Sequence, residues 1–276
     1  EITAVGSYVQ FWFPTWPAWL IQLVFLVLLS SINLIAVRVF GETEFWFAMI
    51  KIVAILALIA TAIFMVLTGF ETHTGHASLS NIFDHFSLFP KGKLKFFMAF
   101  QMVFFAYQAI EFVGITTSET ANPRKVLPKA IQEIPTRIVI FYVGALVSIM
   151  AIVPWYQLPV DESPFVMVFK LVGIKWAAAL INFVVLTSAA SALNSTLYST
   201  GRHLYQIANE TPNALTNRLK INTLSRQGVP SRAIIASAVV VGISALINIL
   251  PGVADAFSLI TASSSGVYIA IYALTM

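Results

Sequence analysis

Two ionisable side chains sit where ionisable side chains are costly. Glu111 closes the stretch Phe104-Phe105-Ala106-Tyr107-Gln108-Ala109-Ile110-Glu111, inside an apolar run from about Leu94 to Thr117. Lys51 lies inside another run, Phe45–Thr68. A charge at the centre of a spanning helix costs about 3 kcal/mol on insertion scales unless it meets a partner or a wet cavity, so charges kept there mark ion and substrate pathways. Counted from the ends of their runs, both residues fall roughly 10 Å below one membrane boundary. They can therefore meet and act as a proton or substrate relay. The alternatives are a snorkelling Lys51 and a purely structural ion pair at Glu111.

A third group lies in the segment Thr187-Ser188-Ala189-Ala190-Ser191-Ala192-Leu193-Asn194-Ser195. Small residues at this spacing let helices approach closely, and Ser188, Ser191 and Ser195 are read as packing or gating positions. Asn194 is different, because an amide at mid-span needs partners; it is expected to face the same interior cavity. Ser263-Ser264-Ser265-Gly266 is read as a similar packing patch.

Other chemistries fit less well. The chain has no cysteine, which excludes disulfides and cysteine metal sites. His73, His76 and His85 share the segment 69–93 without the ordered spacing of acidic ligands that zinc requires, so a polar solvated loop is expected, with no metal and no cofactor. An intramembrane serine hydrolase needs a Ser–His pair within the spans, but only His203 lies near one. Aspartyl chemistry needs two membrane aspartates, and Asp255 stands alone at an edge. No enzyme is expected. A channel would need a ring-forming motif, and none recurs.

The elements that must hold these residues are membrane helices. The chain is 58% hydrophobic and 10% charged, against roughly 25% charged in soluble domains, which makes it a polytopic membrane protein. Seven apolar runs follow an aromatic belt at Phe11, Trp12, Phe13, Trp16 and Trp19: Pro17–Val37, Phe45–Thr68, Leu94–Thr117, Ile138–Val153, Trp176–Tyr205, Ala233–Leu250 and Ala256–Met276. Trp176–Tyr205 is long enough to tilt or project. Asn122-Pro123 ends the third run, and Pro128 suits the start of a short amphipathic helix, Lys129–Ile134. The segments 38–44, 118–137 and 202–232 carry ten Lys and Arg residues, and the alternate ones five. The excess of positive charge puts the first set in the cytoplasm and Glu1 outside. An external start without a signal sequence suggests a piece of a longer protein. The net charge of +4 resides in these segments and is no nucleic-acid signal.

The joint pattern resembles a known family. Phe105-Ala106-Tyr107 with Glu111, then Glu119, Asn122-Pro123 and Leu127-Pro128-Lys129-Ala130, is similar to the sixth helix and following loop of bacterial amino-acid permeases of the amino acid–polyamine–organocation superfamily. Phe40-Gly41-Glu42 with Phe45-Trp46-Phe47 and Ile50-Lys51, Asn194-Ser195 with Ser199 and Arg202, and Gly228-Val229-Pro230 match as well. Ile2-Thr3-Ala4-Val5-Gly6, Phe11-Trp12-Phe13-Pro14 and the segment 181–190 resemble the branch that carries D-serine, D-alanine and glycine.

The resemblance implies an all-α, LeuT-like inverted-repeat transporter, seven spans of an expected twelve, in one domain over residues 1–276. Residues 1–68 would end the first repeat and 94–276 would form the second. It implies a helix break around Phe105–Ile110 whose freed carbonyls accept a substrate ammonium. The substrate-binding set is then Phe105, Ala106, Tyr107, Gln108, Ala109, Ile110, Glu111 and Asn194. The family usually has glycine where Ala109 stands, so the break is expected to be shorter or shifted. Lys51 matches a helix-5 lysine that replaces a sodium ion in proton-coupled relatives; a buried lysine can give up its proton. Lys51 and Glu111 are thus expected to couple proton movement to import of a small neutral amino acid through the plasma membrane. The alternative substrates are aromatic or other neutral L-amino acids.

Overall fold

The computed structural model describes residues 1–35, 37–72, 75–107, 110, 122–158, 163–173, 175–226, 228–247 and 256–275. Its helices are α1 (Ile2–Gln10), α2 (Ala18–Ile35), α3 (Val37–Thr68), α4 (Lys93–Ala106), α5 (Pro123–Ile152), α6 (Pro164–Leu171), α7 (Lys175–Glu210), α8 (Ala214–Leu219), α9 (Ser231–Ile247) and α10 (Ala256–Thr275). Among the described residues four segments are long and apolar enough to cross a membrane: Ala18–Ile35, Gly41–Thr68, Pro123–Ile152 and Trp176–Glu210. The other three expected runs are represented by the shorter apolar helices at Ser231–Ile243 and Ser263–Leu274 and by α4, of 14 residues.

α7 is the axis. It has 36 residues, so it is about 54 Å long against a hydrocarbon thickness of about 30 Å, as the long fifth run implied. α1, α2, α3, α6 and α9 all pack on it. Its sequence permits this because Ala177, Ala178, Ala189 and Ala190 are buried and short, leaving room for the bulkier residues of its neighbours. One cluster joins Ile2, Leu26, Leu29, Leu193, Leu197 and Ala245 across four helices. A second joins Val5, Val9, Ile21, Leu186 and Ala189. A third stands apart on α3, α5 and α6, around Leu58, Met65, Ile149, Ile152 and Val168.

Several boundaries differ from the sequence-based expectation, each for a local reason. The segment 38–44 is not a loop. α3 runs unbroken through it from Val37, because Gly41 only weakens a helix and the flanking residues propagate it. The segment 122–137 is not a loop with a short surface helix either. Asn122, in the left-handed conformation at φ 52°, turns the chain, and Pro123 takes the first helical position. The expected helix Lys129–Ile134 is therefore the start of one 30-residue segment. Pro128 and Pro135 lie within it, and a π-helical turn follows at Val139–Val143. The carbonyl that Pro128 leaves unbonded lies in an exposed part of the helix, where solvent can take it. Ile2 and Leu29, deep along α2, belong to one cluster, while Phe11 and Trp12 follow the opposite end of α1.

The segment after α3 is more ordered than a polar loop. An antiparallel pair sets Glu71 against His76 and Thr72 against Gly75, and a 3-10 turn follows at Leu79–Ile82. Trp155 Nε1 donates to the Asp84 carbonyl and the Tyr156 hydroxyl to the Asp84 carboxylate, tying this cap to the end of α5. His76 faces Glu71, and His85 lies edge-on to Tyr156. His73 lies outside the described residues.

Gly201 marks the tightest helix crossing. A Cβ there would come within 2.5 Å of Ile234 Cγ1 and 3.3 Å of the Ile234 backbone. Gly201→Val is expected to lower stability by about 1–3 kcal/mol, the usual cost of overpacking. The measurement is the melting temperature of the purified full-length protein in detergent. A mutant melting at or above the wild type would show that α7 and α9 separate without cost.

Candidate functional site

The site is built from α3 and α7. Glu44 and Lys51 are seven residues apart, two helical turns, so both project from one face of α3. Side chains on a helix lean toward its N-terminus, which carries the Lys51 ammonium back toward Glu44. Nζ stops 3.9 Å from Glu44 Oε1. Ser191, fully buried on α7, fills the gap. It accepts a hydrogen bond from Lys51 Nζ at 2.9 Å and donates one to Glu44 Oε1 at 2.5 Å. One hydroxyl thus links an ammonium and a carboxylate on the neighbouring helix.

One turn along α7 is a second polar contact. Asn194 is fully buried, and its Oδ1 accepts from Asn33 Nδ2 of α2 at 2.8 Å. Asn33 Nδ2 also reaches the Leu29 carbonyl. Asn194 Nδ2, Asn33 Oδ1, Ser30 Oγ and Glu44 Oε2 are buried and have no hydrogen-bond partner among the described residues. Four such atoms lie on or beside the α2–α3–α7 junction. Ser188 and Ser195, on the same helix, are half-buried.

The third part lies at the end of α4. The helix stops at Ala106; Tyr107 caps it at φ −104°, ψ 4°, and Ile110 sits in a turn. The break that the resemblance implies around Phe105–Ile110 falls partly on positions outside the described residues. The carbonyl of Ala106 accepts from the Tyr142 hydroxyl of α5 at 3.0 Å, and the rings of Tyr107 and Tyr142 stack 5.0 Å apart. Phe104 meets Tyr272 of α10 edge-on, while Phe105 is half-buried. Gln108, Ala109, Glu111, Glu119 and Asp255 lie outside the described residues. Among the described residues no hydrogen bond joins this part to the Lys51 bridge.

Sequence spacing sets Lys51 against Glu111 and reads Ser191 as a packing or gating position; it does not single out Glu44, Asn33 or Tyr142. The seven-residue spacing of Glu44 from Lys51 is the available signal for the first of these. Asn33 was an unremarked amide in an apolar run. Tyr142 carried no signal, because its partner is a main-chain carbonyl. Ser265 donates to the Gln101 carbonyl, so the patch read as packing also tethers α10 to α4. Among the described residues no group of three His, Asp or Glu side chains is placed to hold a metal ion.

Long apolar helices with an ammonium, a hydroxyl and a carboxylate held between them are the build of a multi-pass membrane protein. The chain belongs to the amino acid permease family, whose sequence pattern matches residues 1–276; this is a family of carriers, not of enzymes. It is 49% identical over 285 residues to the serine permease SerP1 of Lactococcus lactis subsp. cremoris (strain MG1363), covering 100% of this chain and 61% of that protein. It is 46% identical to the DL-alanine permease SerP2 of the same strain, over 100% of this chain and 60% of that one. Similarity to the D-serine/D-alanine/glycine transporter of Escherichia coli (strain K12) is 42% identity, over 100% and 58%. The chain spans about three-fifths of the length of these curated relatives.

The Asn33–Asn194 contact yields a stability prediction. Asn33→Leu strands a buried amide on Asn194 and is expected to cost about 1–3 kcal/mol. Adding Asn194→Leu should restore part of the loss, because neither amide of the pair is then left behind unpaired. A double-mutant cycle of thermal stability in the full-length protein checks this; strictly additive losses would mean the two amides do not depend on each other.

Proposed function

We propose that this protein imports small neutral amino acids, D-alanine, D-serine and glycine among them, by proton symport across a bacterial plasma membrane. The observation that carries the reading is the Lys51 ammonium, inside a spanning segment and hydrogen-bonded to the buried Ser191 of a second span. An ionisable group held this way between helices, not led out to the interface, suits a proton carrier. The printed names of the relatives support the substrate class, since serine and alanine permeases and a D-serine/D-alanine/glycine transporter stand together among them.

In this reading the fold is an inverted repeat of the LeuT type, with residues 1–68 ending one repeat and 94–276 forming the other. Access alternates around a site lined by Phe105–Glu111. Glu111 works with Lys51, and Asn194 contributes through its unpartnered Nδ2. The carbonyl of Ala106 becomes available to a substrate ammonium when the Tyr142 hydroxyl leaves it. The resemblance implies glycine at the position of Ala109, and in this reading the Ala109 methyl keeps the pocket small.

Two outcomes are expected in the full-length protein. Lys51→Met should lower proton-gradient-driven accumulation of labelled D-alanine in vesicles at least tenfold; a mutant that still concentrates substrate would remove Lys51 from coupling. In cells lacking their own permeases, glycine and D-serine should compete strongly with D-alanine, and phenylalanine and lysine weakly. The reverse order would point to a carrier of aromatic or other neutral L-amino acids.

A further inference from the structure

We infer that Glu44 takes the proton from Lys51 and releases it toward the cytoplasmic end of α3, with Ser191 as the bridge. This rests on the symport reading above and adds the proton's exit to it. The contacts are already in line. Lys51 Nζ donates to Ser191 Oγ, and Ser191 Oγ donates to Glu44 Oε1. When the ammonium N–H bond breaks, its proton bonds to Ser191 Oγ as the serine's own proton moves to Glu44 Oε1. The serine is restored. An ammonium and a carboxylate have become an amine and a carboxylic acid.

Net charge on the pair stays at zero during the transfer, so no unpaired charge is created on two side chains that are 28% and 29% exposed and otherwise covered by the helices. Glu44 is also under-satisfied as a carboxylate: its Oε2 is buried without a hydrogen bond. Gaining a proton removes the charge that this oxygen leaves unanswered.

The direction follows from position. Glu44 is two turns nearer than Lys51 to the N-terminal end of α3, the end that the excess of Lys and Arg assigns to the cytoplasm. Other titratable groups around the bridge do not offer a shorter route among the described residues. α2 contains none. On α7, Tyr198 and Arg202 are two turns and more beyond Ser191 and stack on each other at 3.3 Å. On α5, Glu133 and Arg137 are paired with each other, and Arg124, Lys125 and Lys129 nearer its start are bases that offer no acceptor carboxylate.

The test uses the full-length protein in proteoliposomes, with labelled D-alanine as the probe. Wild type, Glu44→Gln, Glu44→Asp and Ser191→Ala are compared in two assays: accumulation driven by an inward proton gradient, and counterflow at equal pH on both sides. Glu44→Gln should lose at least tenfold in accumulation and less than threefold in counterflow, and Glu44→Asp should recover most of the accumulation. A loss in accumulation smaller than tenfold, or an equal loss in both assays, would overturn the inference and leave Glu44 as a structural partner of Lys51. Should Glu44→Gln fail to fold, Ser191→Ala is read by the same thresholds, since it removes the bridge and keeps both charges. A wild type that ignores the gradient would instead bring down the symport reading itself, and is distinguishable because it appears before any substitution is made.

Discussion

A charge between membrane helices has no water to answer it, so the protein must supply every partner. That constraint fixes how α3 and α7 face each other. Glu44 and Lys51 share a face of α3, and Ser191 is the donor and acceptor on α7 that meets both. Rotating either helix by one residue, about 100°, would break two hydrogen bonds and leave the two charges only their 3.9 Å approach to each other. The short side chains of Ala54 and Ala178 help the helices come close enough for a hydroxyl to span the gap.

The same rule extends along α7. Thr187, Ser191 and Asn194 are all buried and recur at intervals of four and three, the spacing of one helical face. Asn182, a turn and more before them, donates to the Tyr8 carbonyl and secures α1. α7 therefore acts as a polar spine within an apolar bundle: its neighbours are oriented by hydrogen bonds and held by packed aliphatic side chains. Such bonds are worth about 1 kcal/mol or less each in membranes, so their contribution is chiefly to orientation.

Much of this was legible in the sequence. Hydropathy located the long helices because backbone groups in lipid must be satisfied within each segment, which ties length to apolar composition. The importance of Lys51 followed from the same cost argument. What could not be read was which partner it takes. A lysine side chain reaches a full turn or more from its own Cα, so several acidic residues were within range on sequence spacing, and only the geometry of α3 and α7 selects Glu44 and Ser191. The helix start before α5 failed differently. The rule that proline suits a first turn was sound, but two prolines competed for it, and the left-handed Asn122 decided in favour of Pro123.

α5 carries one further consequence. Pro135 removes a rung from its hydrogen-bond ladder, and the π-turn at Val139–Val143 loosens the next one. Adjacent irregularities of this kind make a compliant joint, where a helix bends at low cost. Tyr142 belongs to that joint, and its hydroxyl is the latch on the Ala106 carbonyl. Hinge and latch therefore share five residues. A bend of α5 at this joint would move the Tyr142 phenol relative to the Ala106 carbonyl directly, with no other side chain between them.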